Sequence, residues 1–294
     1  MADKQTILIA GATGNVGGGA ATALAQRGAR VVLLGRRLET LEARADSIRS
    51  ALPEARTDHR DDNVATLVVD FTDMEAVRAA ASEATSRFPR IDGLVLSVVT
   101  LIQNGPTMLP NGHEVMFATN VMGPFLFTQL LIEELEQSDG LVLHVVTPFY
   151  EDIDWSDLES ITNHKTGTAY NRTKTMNRMV AAELARRYPG RISSVAFNPG
   201  FVIDKEDPEL AKRWPTGFMG FFWRWMTLLF AKAPAVAGQP LADLMLLHPD
   251  RDELNGALFK RDERANKPDR AMNDEESAKR LWDELARATG LAPG

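Results

Sequence analysis

The 294-residue sequence contains no cysteine. That absence excludes disulfides, thiolate catalysis and cysteine-ligated metals together. Histidine is scarce too: His59, His113, His144, His164 and His248 are scattered without ligand spacing, so no metal site is expected. Positive charge is not in excess. The formal net charge is −7, which argues against a nucleic-acid surface. No apolar run is long enough to span a bilayer. Met1-Ala2-Asp3-Lys4 leads directly into a strand, leaving no room for a signal peptide, so a cytoplasmic location is expected.

What is present is a hydrophobic content of 44%, enough for one large core. Thr6 to Ala10 reads as a short buried strand. Gly11-Ala-Thr13-Gly14-Asn15-Val16-Gly17 follows at once, then an alanine-rich helix from Gly18 to Arg27 and a second strand, Val31 to Leu34. Strand, glycine loop, helix and strand form the βαβ unit of a nucleotide-binding sheet. The glycines let the backbone approach a pyrophosphate, and the helix N-terminus offers free N–H groups and the positive end of its dipole. An NAD-type site calls for a carboxylate about 20 residues beyond the loop, at the end of the second strand. Here that point reads Gly35-Arg36-Arg37, two guanidiniums suited to a 2′-phosphate. NADP(H) is therefore expected, with NAD(H) as the alternative.

Further apolar strands are expected at Val64–Val69, Leu94–Val98, Leu141–Val146, Ile192–Phe197 and Ala257–Phe259. Helices are expected at Leu38–Leu52, Met74–Phe88, Glu114–Leu135 and Val236–Leu247. This alternation predicts an α/β fold: a single-domain Rossmann arrangement with a doubly wound parallel sheet and helices on both faces. The catalytic domain is expected to span residues 1–260. A polar linker and an amphipathic helix, Asp274 to Thr289, follow within 261–294, with Leu281, Trp282 and Leu285 on one face.

Between the fifth and sixth strands lies Ala169-Tyr170-Asn171-Arg172-Thr173-Lys174, opening a helix that runs through Ala185. A phenol and an ammonium at i and i+4 share one helix face. A fixed positive charge beside a tyrosine is expected to lower its pKa towards the working range of a proton donor or acceptor. Alone, the pair also suits an ordinary solvated face; its place after a nucleotide-binding unit favours chemistry. Farther on, residues 205–232 hold an aromatic run in which Phe218, Phe222 and Trp223 suit a bulky apolar ligand. The same run also suits a core helix or, more weakly because it is poor in basic residues, a peripheral membrane contact.

With these motifs in register, the chain resembles the short-chain dehydrogenase/reductase superfamily, and within it the retinol-dehydrogenase-like group. Thr119-Asn120-Val-Met-Gly-Pro-Phe matches the segment that carries that family's active-site asparagine. Ala169 to Lys174, followed by Glu183-Leu-Ala-Arg-Arg, matches its catalytic helix, and Asn198-Pro199-Gly200 its segment beside the nicotinamide. The resemblance implies Tyr170 as proton donor or acceptor, Lys174 as its partner and ribose ligand, Thr147 in the serine position, and Asn120 positioning a water. It also implies cofactor contacts from Gly11, Thr13, Gly14, Asn15, Val16, Gly17, Arg36, Arg37, Asp70, Phe71, Ser97, Lys174, Pro199, Gly200 and Val202, with Phe149 toward the substrate. For Asp70, a part in capping the following helix around Thr72-Asp73 is the other reading.

Three departures stand out. The glycine spacing is closer to that of extended members, Ser97-Val98-Val99-Thr100 stands where the family usually has Asn-Asn-Ala-Gly, and threonine replaces the usual serine. Threonine keeps the hydroxyl but adds a stiff, crowding methyl. The expected function is hydride transfer between NADP(H) and a carbonyl or alcohol of a hydrophobic small molecule, by a chain that can form homo-oligomers. A non-catalytic NADP-sensing or partner-binding protein is the alternative the departures suggest, followed by an isomerase or dehydratase.

Overall fold

The computed structural model describes residues 4–52, 63–206, 225, 227, 229–246 and 251–292. The chain opens with β1 (Thr6–Ala10), α1 (Asn15–Gln26), β2 (Arg30–Gly35), α2 (Leu38–Ser50) and β3 (Val64–Val68). Next come α3 (Met74–Arg87), β4 (Gly93–Leu96), α4 (Val115–Phe117), a π turn (Ala118–Met122), α5 (Gly123–Gln129) and α6 (Ile132–Gln137). Then follow β5 (Leu141–Val145), α7 (Thr166–Arg187), β6 (Ser193–Asn198), α8 (Pro234–Leu246) and α9 (Arg251–Leu254). The hairpin β7 (Leu258–Lys260) and β8 (Glu263–Arg264) precedes α10 (Arg270–Asn273) and α11 (Glu275–Ala288).

Among the described residues eight strands form one sheet in the order β3-β2-β1-β4-β5-β6-β7-β8, parallel except for the last pair. Strand order reverses between β1 and β4, which opens a crevice at their carboxyl ends. All five β1 residues are buried. Their side chains alternate between faces: Ile7 and Ile9 pack with Leu24, Leu41 and Leu241, while Leu8 and Ala10 pack with Val77, Phe125, Met176 and Leu281. The sheet is thus buried on both sides, as continuous apolar strands predict.

Two elements differ from the sequence expectation. The helix expected over Glu114–Leu135 is divided, with the π turn placing Asn120 between α4 and α5 and with Pro124 in the first turn of α5. Glu114 caps α4, accepting from the N–H groups of Met116 and Phe117 at 2.7 and 2.9 Å. The polar stretch after β7 is also more ordered than expected. Arg261 takes φ +62° and turns the chain back into β8, which ends the sheet with an antiparallel edge.

The amphipathic helix forms as α11. Asp274 caps it by accepting from Ser277 N–H at 3.1 Å. Its Trp282 meets Phe125 edge-to-face, with ring centroids 5.0 Å apart. On the opposite face of the sheet, α1 and α8 approach closely enough that a Cβ at Gly238 would enter the backbone of Gly19. No helix among the described residues is long and apolar enough to cross a membrane.

Candidate active site

The glycine loop joins β1 to α1 at the crevice. Gly11 has φ +80°, and a Cβ there would lie 2.7 Å from Val98 N. A Cβ on Gly17 would strike the Gly11 carbonyl oxygen and Ser97 Oγ. Ser97 itself donates to the Ala10 carbonyl at 2.7 Å, tying β4 to β1 beneath the loop. Gly14 precedes α1 and supplies no side-chain cap, so the first N–H groups of the helix are available to an anion. The cleft above them is lined by Gly11, Thr13, Gly14, Gly35 and Arg36, with Val69, Phe71, Ser97 to Thr100, and Thr119 around its rim. A pyrophosphate suits this donor-rich, Cβ-free cradle.

Arg36 lines that cleft, whereas Arg37 occupies the cap position of α2, where its carbonyl accepts from Leu41 N–H and Thr40 Oγ1. The two arginines are therefore not equivalent. Sequence reading missed Arg44, which reaches back from α2 to within 3.5 Å of the Thr13 carbonyl and lies against Gly18. Its signal was helical spacing: Arg37, Leu41 and Arg44 fall on one side of α2. Asp70 Oδ1 accepts from the N–H and Oγ1 of Thr72, at 2.9 and 2.8 Å, and Asp73 caps α3. Asp70 thus stiffens the turn into α3, and Phe71 next to it is buried against Phe127.

The Tyr170 helix is α7. Lys174, buried in it, donates from Nζ to the Val145 carbonyl at 3.2 Å and lies 5.9 Å from the Tyr170 ring centre. Burial lowers the Lys174 pKa to about 8, so the amine stays mostly protonated at neutral pH. Burial pushes the Tyr170 phenol up, opposite to the sequence expectation. The cause is desolvation, which disfavours phenolate, while the ammonium is engaged with a backbone carbonyl.

Asn120 is buried in the π turn. Its side-chain amide pairs with both backbone groups of Thr100, accepting from N–H at 2.7 Å and donating to the carbonyl at 3.0 Å. It also donates to Thr173 Oγ1 at 3.2 Å, one residue before Lys174. Asn120 therefore joins α7 to the segment after β4 that departs from the family's usual sequence. Thr147 follows β5, and its Oγ1 is buried without a hydrogen-bond partner among the described residues. A buried hydroxyl in that state has donor and acceptor capacity to offer a ligand.

Beyond β6, Asn198 accepts from Gly200 N–H at 2.9 Å, and Gly200 takes φ +79° after Pro199. Val202 pairs with Lys232, and its carbonyl accepts from Asn15 at 3.5 Å, bringing this segment to the glycine loop. Val16 lies next to Asn15 in the first turn of α1. Phe149 is 63% exposed in the loop after β5. Phe218, Phe222 and Trp223 lie outside the described residues. A larger cavity, about 540 Å³, is elsewhere, between α7, β7 and the residues leading into α10. Among the described residues no group of acidic and histidine side chains could hold a metal.

Residues 5–206 match the short chain dehydrogenase family. The chain belongs to that family. Among similar short-chain dehydrogenases is mouse retinol dehydrogenase 13, 29% identical over 98% of this chain and 84% of that protein. Human retinol dehydrogenase 14 is 29% identical over 98% of this chain and 87% of its own length. Within the family the chain is thus close to the retinol-dehydrogenase-like group. A variant of actinorhodin polyketide ketoreductase with NADPH shares the fold, with a TM-score of 0.66 and 18% identity over 88% of this chain and 95% of that one. Membership makes the chain a dehydrogenase/reductase that works with a nicotinamide cofactor, and the cradle over α1 suits that cofactor's pyrophosphate.

Proposed function

We propose that the protein is an NADP(H)-dependent carbonyl reductase, or alcohol dehydrogenase in reverse, acting on a hydrophobic substrate. The observation that carries this reading is α7, which sets Tyr170 and the protonated Lys174 on one face and, through Arg178, meets Thr147, whose hydroxyl is buried without a partner among the described residues. When bound, the nicotinamide supplies or accepts the hydride. Tyr170, held protonated by burial, delivers its proton to the substrate oxygen during reduction. Thr147 Oγ1 donates to the same oxygen as charge develops on it. The Lys174 ammonium, 5.9 Å from the Tyr170 ring centre, would offset the negative charge left on Tyr170 and would hold the cofactor's ribose hydroxyls. Asn120 keeps the backbone at Thr100 and the start of this helix turn in register.

Support for NADP(H) comes from Arg36 at the rim of the cleft, the missing carboxylate at the end of β2, and Arg44 behind Thr13. Support for an apolar substrate comes from Val99, Leu101, Met108 and Phe149, exposed on segments that follow β4 and β5 at the carboxyl side of the sheet. The names of the retinol dehydrogenases agree with a bulky apolar alcohol or aldehyde.

The test is a panel of long-chain and aromatic aldehydes, ketones and retinoids with NADPH and then NADH, run with Y170F and R36A alongside. Wild type should turn over with a preference for NADPH. Y170F should lose at least about a thousand-fold in kcat while binding NADPH within about three-fold of wild type. R36A should lose most of the NADPH preference. Unchanged turnover in Y170F would sink the mechanism, and a wild type that binds NADPH but reduces nothing would favour a sensing role.

A further inference from the structure

Tyr170, Lys174 and Arg178 follow at i, i+4 and i+8 along α7, so a third polar side chain shares the face that carries the chemistry. Arg178 is 3% exposed, an unusual place for a guanidinium. Its fork spans two acceptors. Nη1 pairs with Asp269 Oδ2 at 3.1 Å, and Nη2 donates to the main-chain carbonyl of Thr147. Asp269 is itself fixed, because its other oxygen caps α10 by accepting from the N–H groups of Ala271 and Met272, at 3.1 and 3.2 Å. The carbonyl that Arg178 holds thus belongs to the residue whose hydroxyl is buried without a partner among the described residues.

We propose that Arg178 is a positioning residue for Thr147, locked in place by Asp269 from the C-terminal segment. The proposal rests on the reading of Thr147 as the group that steadies the substrate oxygen. Threonine is stiff about χ1, so the direction of its Oγ1 follows the backbone. A clamp on the Thr147 carbonyl is therefore a clamp on the hydroxyl. Serine, with freer rotation, would depend on such a clamp less. Lysine at 178 could not replace the fork, since a single ammonium does not reach two acceptors in fixed planar geometry. Small errors in aim at a reacting centre cost up to about a hundred-fold in rate.

The decisive experiment is a kinetic double-mutant cycle on the full chain with T147A, R178A and the double variant, normalised to the NADPH-binding fraction. R178A should lower kcat about ten- to a hundred-fold with the NADPH KM within about two-fold. In the T147A background the same change should cost less than about two-fold, because the hydroxyl it aims is gone. Added methylguanidinium should restore part of the R178A rate and none of the T147A rate. D269N should show a smaller kcat loss, removed likewise by T147A. Losses that simply multiply would overturn the proposal, since a general structural role predicts that. If R178A does not fold, R178K and D269N carry the same cycle. Hydrogen exchange gives an answer independent of turnover: residues 146–152 should exchange about ten-fold faster in R178A or D269N. Unchanged exchange there would overturn the clamp even in a protein that reduces nothing, whereas faster exchange with no wild-type turnover would fault the oxidoreductase reading alone.

Discussion

His144 sits inside β5 with a buried ring whose Nε2 has no partner among the described residues. Burial first, then the Lys174 charge, lowers its pKa from 6.5 to about 3. A histidine kept neutral in the fold but protonated once unfolded stabilises the protein fully above pH 6.5, and that stability is lost as pH falls towards 3. H144L removes this dependence. Between pH 7 and pH 4 wild type should lose about 3 kcal/mol more than the variant, read from urea titrations at both values. Equal losses would mean the ring is protonated in the folded state. At this scale the sequence was informative where one motif sets two residues on one helix face, as with Tyr170 and Lys174. It was silent where partners are distant. Arg178 looks like one more charged residue on a helix until Thr147 and Asp269, from two other segments, meet it. The direction of the Tyr170 shift was illegible for a similar reason, because it depends on how far the fold buries the phenol.

Most elements were legible, since buried parallel strands are continuous apolar runs and the first three helices between them follow a glycine or aspartate at the strand's end. The exceptions were geometric. A π turn has the composition of an α-helix, so Ala118–Met122 gave no warning, although it is the turn that carries Asn120. The β8 edge is two residues long, too short for an alternating pattern to register. Glycines, by contrast, spoke clearly in the loop and less so in helices. Gly238 looks like a weak point in α8, where alanine should gain about 1 kcal/mol in helix propensity. The backbone of Gly19 stands where that methyl would go. Backbone cannot rotate aside, so the clash wins. G238A should lower stability by about 1–3 kcal/mol net, seen as a lower urea midpoint with an unchanged slope. A gain in stability would show that α1 and α8 can slide apart at little cost.

At the scale of the molecule, the two faces of the sheet are closed by different parts of the chain. One face is covered by α1, α2 and α8. The other is covered by α3, α5, α7 and, outermost in sequence, α11, whose Leu281, Trp282 and Leu285 join Phe125 and Met176 in one cluster. W282A opens a large cavity beside the Tyr170 helix and should cost about 3–5 kcal/mol. If instead the midpoint barely moves, α11 is an ornament rather than a wall. The amphipathic pattern of α11 was plain from sequence, but not the surface it covers, because packing partners more than a hundred residues away leave no local trace.

That arrangement bears on how the protein is born. A chain emerging from the ribosome can complete the α1, α2 and α8 side once Leu254 and the strands are out, but the side bearing Tyr170 stays open until Leu285 has been synthesised. The apolar back of the chemistry-bearing helix is thus among the last surfaces in the molecule to be shielded, and it is where a chaperone would be expected to hold the nascent chain.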